Sequence, residues 1–169
     1  MGRMETVETL AGVLAVTRAR KRGVTQADRV QDLLATGDPA RVLASLVGDG
    51  LLDDPLLTKA RLDVETWTVQ GMDMVSVLSD QYPSRLRDVR EAPALLYYQG
   101  ALDPADQGVC VVGSRQADDA ALEVATYVSS ALADAGLTVV SGLAAGVDAA
   151  AHAHRRRIRA AQLRVALLD

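Results

Sequence analysis

The chain has 169 residues, of which 49% are hydrophobic, 24% charged and 3% aromatic. This length allows one ordinary domain, or one small domain with part of another. The hydrophobic fraction excludes wholesale disorder, and no run of about 18 uncharged apolar residues exists to span a bilayer. The single cysteine, Cys110, excludes a disulfide framework and a cysteine-based zinc cluster. Because glutamates occupy the N-terminal segment, where a signal peptide is basic, we expect a soluble cytoplasmic protein without a membrane partner.

Charge is distributed unevenly along the chain. Residues 71–154 hold 4 basic and 11 acidic side chains, whereas residues 155–169 hold 5 basic and 1 acidic. The pattern shows no broad basic face, which is the usual electrostatic signature of a nucleic-acid-binding protein. Any recognition of phosphate therefore has to come from a local site of backbone amides and a few arginines.

Residues 1–67 are predicted to form a small helical domain. Thr25 is a candidate N-cap for one helix, and Asp38 followed by Pro39 begins the next. A further helix is predicted within residues 51–67. The pattern leaves two interpretations open, an interaction module and a packing appendage to the following domain.

Residues 68–169 change to a pattern of strands and helices. The predicted elements are strands at 74–78, 94–98, 109–112 and 137–140, and helices over 117–135 and from 147 onward. Buried strands without alternation, joined by a helix, predict a parallel sheet covered on both faces. The fold class is therefore α/β, with a partial Rossmann-like parallel sheet preceded by a small helical domain. Residues 163–168 are a candidate for the next strand.

Two turns follow the strands of the predicted parallel sheet. Gly113, Ser114 and Arg115 form the first turn, and residues 141–146 form the second. At the carboxyl ends of parallel strands, free N–H groups and helix dipoles attract anions. Glycine allows a ligand to approach the backbone, and a guanidinium can bind phosphate with two hydrogen bonds. The two turns together predict an anion site.

The remaining candidate residues have simpler interpretations. We expect Asp148 to cap its own helix and Cys110 to be a small core residue inside a strand. A helix would direct His152 and His154 to different faces, so no metal site is predicted. Of the two adjacent tyrosines at 97 and 98, we expect one to be buried and the other to be exposed. Since no Ser-His-Asp set or carboxylate pair is found, we expect no catalysis, metal or cofactor.

Three segments resemble the DNA-processing protein A family (DprA/Smf). They are residues 82–86 with 92–100, residues 111–115, and residues 135–152, the last being the most specific. The resemblance implies a recombination mediator that binds single-stranded DNA without reading its sequence. It also implies protection of that DNA and loading of the RecA recombinase in natural transformation. The matching positions assign phosphate contact to Gly113, Ser114, Arg115, Ser141, Gly142 and Gly146.

The sequence departs from the family's pattern at two places. Ala145 stands where a basic residue is common, and Asp118-Asp119-Ala120 replaces a Tyr-Gly pair, which places negative charge near the predicted site. The family continues through further strands, so we expect a truncated chain. Two interpretations of a homodimer stay open: that the chain forms one, and that truncation removes its surface. Two alternatives stay open: a Rossmann-like protein that binds nucleotides or cleaves nucleoside monophosphates, and an inactive truncated remnant.

Overall fold

The structure, a computed structural model, describes residues 5–48, 55–142, 144–153 and 162–164. In chain order the elements are α1 (Val7–Arg18), α2 (Gln26–Thr36), α3 (Pro39–Val47), α4 (Pro55–Val69), β1 (Asp73–Ser76), α5 (Ser84–Arg87), β2 (Leu95–Gln99), β3 (Gly108–Cys110), α6 (Asp119–Asp134), β4 (Thr138–Val140), α7 (Val147–His152) and β5 (Gln162–Arg164). None of the helices in these ranges combines the length and the apolar run that a bilayer crossing requires.

The chain divides into two compact units. Unit 1 comprises Met1–Pro104 with Gln162–Asp169, and unit 2 comprises Ala105–Ala161. These bounds differ from the predicted domains of residues 1–67 and 68–169. The reason is that β1 and β2 pack against α1 and share its hydrophobic core, so the first two strands belong with the helices.

Helix α1 lies at the centre of unit 1. Its residues from Leu10 to Val16 are all buried, because α3 and α4 pack against it. Gly12 permits a close helix contact, since a Cβ there would lie 2.9 Å from the Cβ of Pro39. The predicted N-caps are confirmed: the Thr25 side chain accepts from the Asp28 amide in a capping box, and Asp38 caps α3.

The sheet of unit 1 is antiparallel, with the strand order β1-β2-β5. Val75 pairs with Leu96 between β1 and β2, and Tyr98 pairs with Leu163 between β2 and β5. The predicted strand at 163–168 is confirmed at 163 and 164, which belong to β5 and pair antiparallel with β2, and 165–168 lie outside the described residues. Strand β5 pairs with the edge of β2, whose N–H and C=O groups would otherwise be left unpaired.

Unit 2 contains a parallel strand pair, β3 and β4, in which Val109 pairs with Val139. The order β3, α6, β4, α7 confirms the α/β class. The residues that the structure describes do not give this pair the expected coverage of both sheet faces. Helix α6 packs on α7 and β4, and Val139 is 4% exposed, but Val140 on the opposite face is 37% exposed. Cys110, the register partner of Val140, is likewise exposed, so its predicted place in the core is wrong.

Candidate functional site

The two predicted turns lie side by side in unit 2, at the carboxyl ends of β3 and β4. The Val147 amide donates to the carbonyl oxygen of Ser114 at 3.2 Å, which joins the end of the second turn to the first. The Ser141 hydroxyl donates to the carbonyl oxygen of Val111 at 2.7 Å, which joins the beginning of the second turn to the segment that follows β3. The structure therefore brings together all six predicted site residues: Gly113, Ser114, Arg115, Ser141, Gly142 and Gly146.

Gly146 lies at the closest approach of the two turns. Its φ of +83° is in the left-handed region that glycine adopts at low cost. A Cβ at this position would collide with the carbonyl oxygen of Ser114 and lie 2.9 Å from the carbonyl carbon of Arg115. The second turn can pass against the first only because this residue has no side chain.

Asp148 connects the two turns through its carboxylate. Its Oδ1 accepts from the Gly113 amide at 3.4 Å, and its Oδ2 accepts from the Gly142 amide at 3.1 Å. The residue is 7% exposed. The prediction that Asp148 caps its own helix is wrong, because α7 begins at Val147 with Gly146 as the N-cap residue and no side-chain cap bond. Asp148 is thus the second helical residue, and its carboxylate is directed to the strand ends.

The remaining polar groups of the turns differ in what they still offer to a ligand. The Ser114 hydroxyl oxygen accepts from the Gln116 amide at 3.0 Å, so its own proton stays available for donation. Arg115 is exposed and forms no ion pair with any residue that the structure describes. It is also the sole lysine or arginine between Arg90 and residue 155. Within the described part of unit 2, positive charge therefore comes from one guanidinium.

The acidic segment that departs from the family's pattern has a structural role at the start of α6. The Asp118 carboxylate accepts from the Ala121 amide at 2.9 Å and caps the helix. A shallow groove runs along the same helix, lined by Asp119, Leu122, Glu123, Thr126, Tyr127 and Ser130. Its two carboxylates repel phosphate, so this groove is unsuited to binding an anion.

The other candidate residues contribute nothing to the turns. Tyr97 is 5% exposed in unit 1 and meets the Trp67 ring edge to face at 5.1 Å, and burial raises the pKa of its hydroxyl to about 12. Tyr98 is half-buried and not exposed as expected. His152 has a buried Nε2 without a hydrogen-bond partner in the described part of the chain, and His154 lies outside it. The described residues contain no cluster of three metal-ligating side chains.

These features define an α/β protein whose parallel strand pair presents two adjoining glycine-containing turns. A family model described as DNA recombination-mediator protein A matches residues 73–167, more than half of the chain. The chain belongs to this family.

Named relatives match a similar part of the chain. Protein Smf of Synechocystis is 40% identical over 82 residues, which cover 46% of this chain and 21% of that protein. DNA processing protein DprA of Streptococcus pneumoniae is 42% identical over 84 residues, which cover 49% of this chain and 29% of that protein. The X-ray structure of DprA from Streptococcus pneumoniae aligns with 87% of this chain and 48% of that chain, at 25% identity and a TM-score of 0.45. The chain spans less than a third of the length of the curated relatives it matches.

Proposed function

We propose that this chain binds single-stranded DNA through the sugar-phosphate backbone, in recombination that accompanies DNA uptake. The observation that carries the proposal is the pairing of two strand-end turns around one exposed arginine, Arg115, within the segment that matches the family. A guanidinium in that position can bind a phosphate with two hydrogen bonds. Contacts to phosphate alone position a strand without reading its sequence.

The proposal is for a binding protein and not for an enzyme. Both carboxylate oxygens of Asp148 already accept backbone amides, and the Ser141 hydroxyl already donates to a carbonyl oxygen. The turn residues thus supply one free guanidinium and one free hydroxyl, a set suited to holding an anion. General acid–base chemistry needs a group free to take up or release a proton.

The family suggests how such a weak contact could act in the cell. A single acidic chain neutralises few phosphates and binds DNA weakly. We extend the proposal to a homodimer, because two linked sites on one strand raise the avidity. Protection of the incoming strand and its transfer to the RecA recombinase complete the proposal, and both come from the family resemblance and not from the contacts of the turns.

Replacing Arg115 with alanine tests the proposed function. We expect Arg115→Ala to weaken binding of fluorescein-labelled oligo-dT about tenfold at low salt, since one charged hydrogen-bonding contact is lost. Fluorescence anisotropy measures the affinity. Arg41→Ala removes an equal charge from an exposed position on α3 and should leave binding unchanged.

Two results would contradict the proposal. The first is no binding of oligo-dT at low salt, and the second is equal binding by wild type and Arg115→Ala. Release of a base or ribose phosphate from a nucleoside monophosphate would favour the alternative of a nucleotide-cleaving protein.

A further inference from the structure

The backbone amides of the two turns fall into two groups. Those of Gly113 and Gly142 donate to the Asp148 carboxylate, at 3.4 and 3.1 Å. Those of Ser114 and Arg115, beside the guanidinium, have no acceptor among the residues that the structure describes, and the same holds for Ala144, Ala145 and Gly146 in the second turn. Ser114 and Arg115 are both exposed, so an anion could reach their amides from solvent.

We infer that Asp148 is a positioning residue, and that the phosphate is bound by the amides of Ser114 and Arg115 with the Arg115 guanidinium. This inference rests on the proposed function and identifies the donors of the same site. Gly113 and Gly142 allow the turns to lie close to α7, and their amides donate to the Asp148 carboxylate and not to the ligand. The assignment changes the role of two residues that the family resemblance counted as phosphate contacts.

The buried carboxylate is suited to this task. Asp148 is 7% exposed, and a buried charge is tolerated only when hydrogen bonds satisfy it. Each of its two oxygens accepts from a different turn, so one side chain fixes the separation of the ends of β3 and β4. A Cβ on Gly142 would lie 3.1 Å from Oδ2, and one on Gly113 would lie 2.8 Å from Cγ2 of Val147. A side chain at either position would therefore crowd α7, more severely at Gly113 than at Gly142.

Whether a substitution of Asp148 weakens or tightens DNA binding distinguishes a positioning role from simple repulsion of phosphate. Asparagine at position 148 offers one acceptor oxygen instead of two and places an NH2 group against one of the two amides. If Asp148 positions the turns, Asp148→Asn weakens oligo-dT binding about tenfold, although a negative charge has been removed. If the carboxylate only repels phosphate, the same change tightens binding, which would overturn the inference. Asp134→Asn, at the exposed end of α6, is the matched control and should bind as wild type or slightly tighter.

Amide signals in nuclear magnetic resonance spectra report the hydrogen bonds directly. In Asp148→Asn, the Gly113 and Gly142 amide protons should move upfield, as the bonds to a charged acceptor are lost. Amide protons that stay in place would contradict the positioning role, whether or not DNA binds.

Titration of the wild-type chain with oligo-dT needs no variant and tests the donor assignment. We expect the largest changes at the amides of Ser114 and Arg115, with Gly113 and Gly142 nearly unchanged. Large changes at the two glycines would show that phosphate displaces Asp148, and would overturn this inference while leaving the proposed function intact. No change at any amide would overturn the proposed function, and the donor assignment with it.

Discussion

At the scale of single residues, Gly146 meets two separate demands. Its φ of +83° strains any residue with a Cβ, and the backbone at Ser114 and Arg115 occupies the space that a Cβ would fill. Gly136, which ends α6, has a similar φ of +78° but has open space around it. Comparing Gly136 with Gly146 therefore distinguishes the cost of a side chain on a left-handed backbone from the cost of its collision with a neighbouring turn.

We expect Gly136→Ala to lower the free energy of unfolding by about 1 kcal/mol, the cost of placing a side chain in the left-handed region. Gly146→Ala should cost about 2 kcal/mol more, because the collision with Ser114 forces the turns apart. Urea denaturation followed by circular dichroism measures both. Equal losses for the two variants would show that the turns are not in contact at Gly146.

The site residues differ in whether their environment could be predicted from the sequence around them. Gly113 and Gly146 could be placed beforehand, because a turn between an apolar strand and a helix puts them at the carboxyl end of the sheet. The role of Asp148 could not, since it depends on the position of Gly113, which lies 35 residues earlier in the chain and is brought close by the pairing of β3 with β4. A carboxylate inside the first helical turn after a glycine-rich loop was the available signal. Cys110 was misplaced because burial of a strand face depends on what covers it.

At the scale of elements, the carboxylate of Asp63 on α4 forms ion pairs with two basic side chains. The Nη1 of Arg18 at the end of α1 lies 2.5 Å from Oδ2, and the Nζ of Lys59 lies 3.2 Å from Oδ1. Partial burial alone would raise the pKa of the Asp63 carboxyl, but hydrogen bonds from Arg18 and Lys59 outweigh it, and the pKa lies below its usual value. The Arg18 guanidinium also lies 5.7 Å from the centre of the Trp67 ring.

A lowered pKa in the folded state predicts loss of stability in acid. The contribution of Asp63 is present above the unfolded-state pKa of about 3.9 and disappears as the pH falls through the folded-state value. We expect Asp63→Asn to be less stable than wild type at neutral pH and to lose less stability on acidification. Fluorescence of Trp67, the only tryptophan, follows urea unfolding of unit 1 across the pH series. Asp32→Asn on the exposed face of α2 is the control, and the same acid dependence in both variants would contradict the role of Asp63.

Elements defined by local interactions could be predicted from the sequence, but the pairing of β5 with a strand distant in sequence could not. The capping box at Thr25 and the cap at Asp38 follow from neighbouring residues, as does the end of α6 before Gly136. Strand β5 has a local pattern that fits any buried strand. Its antiparallel place beside β2 is set by an open sheet edge more than 60 residues earlier in the chain.

At the scale of the whole molecule, charge limits how the chain can hold DNA. The net charge is −4, and from residue 91 to residue 154 Arg115 is the only lysine or arginine. Basic residues elsewhere are grouped: Arg20, Lys21 and Arg22 are exposed between α1 and α2, and Arg155, Arg156 and Arg157 lie outside the described residues. If the turns alone contact the strand, the count of neutralised phosphates is close to one.

The salt dependence of binding measures that count. For a single strand, the slope of log K against log salt concentration is about −0.7 for each phosphate neutralised. We expect a slope near −0.7 for an oligo-dT short enough to hold one chain, and a slope near zero for Arg115→Ala. A wild-type slope of about −2 or steeper would contradict contact through the turns alone. Repeating the series with the double variant Arg20→Ala/Arg22→Ala would then show whether the basic residues after α1 supply the additional contacts. Each contact that is lost makes the slope less negative by about 0.7.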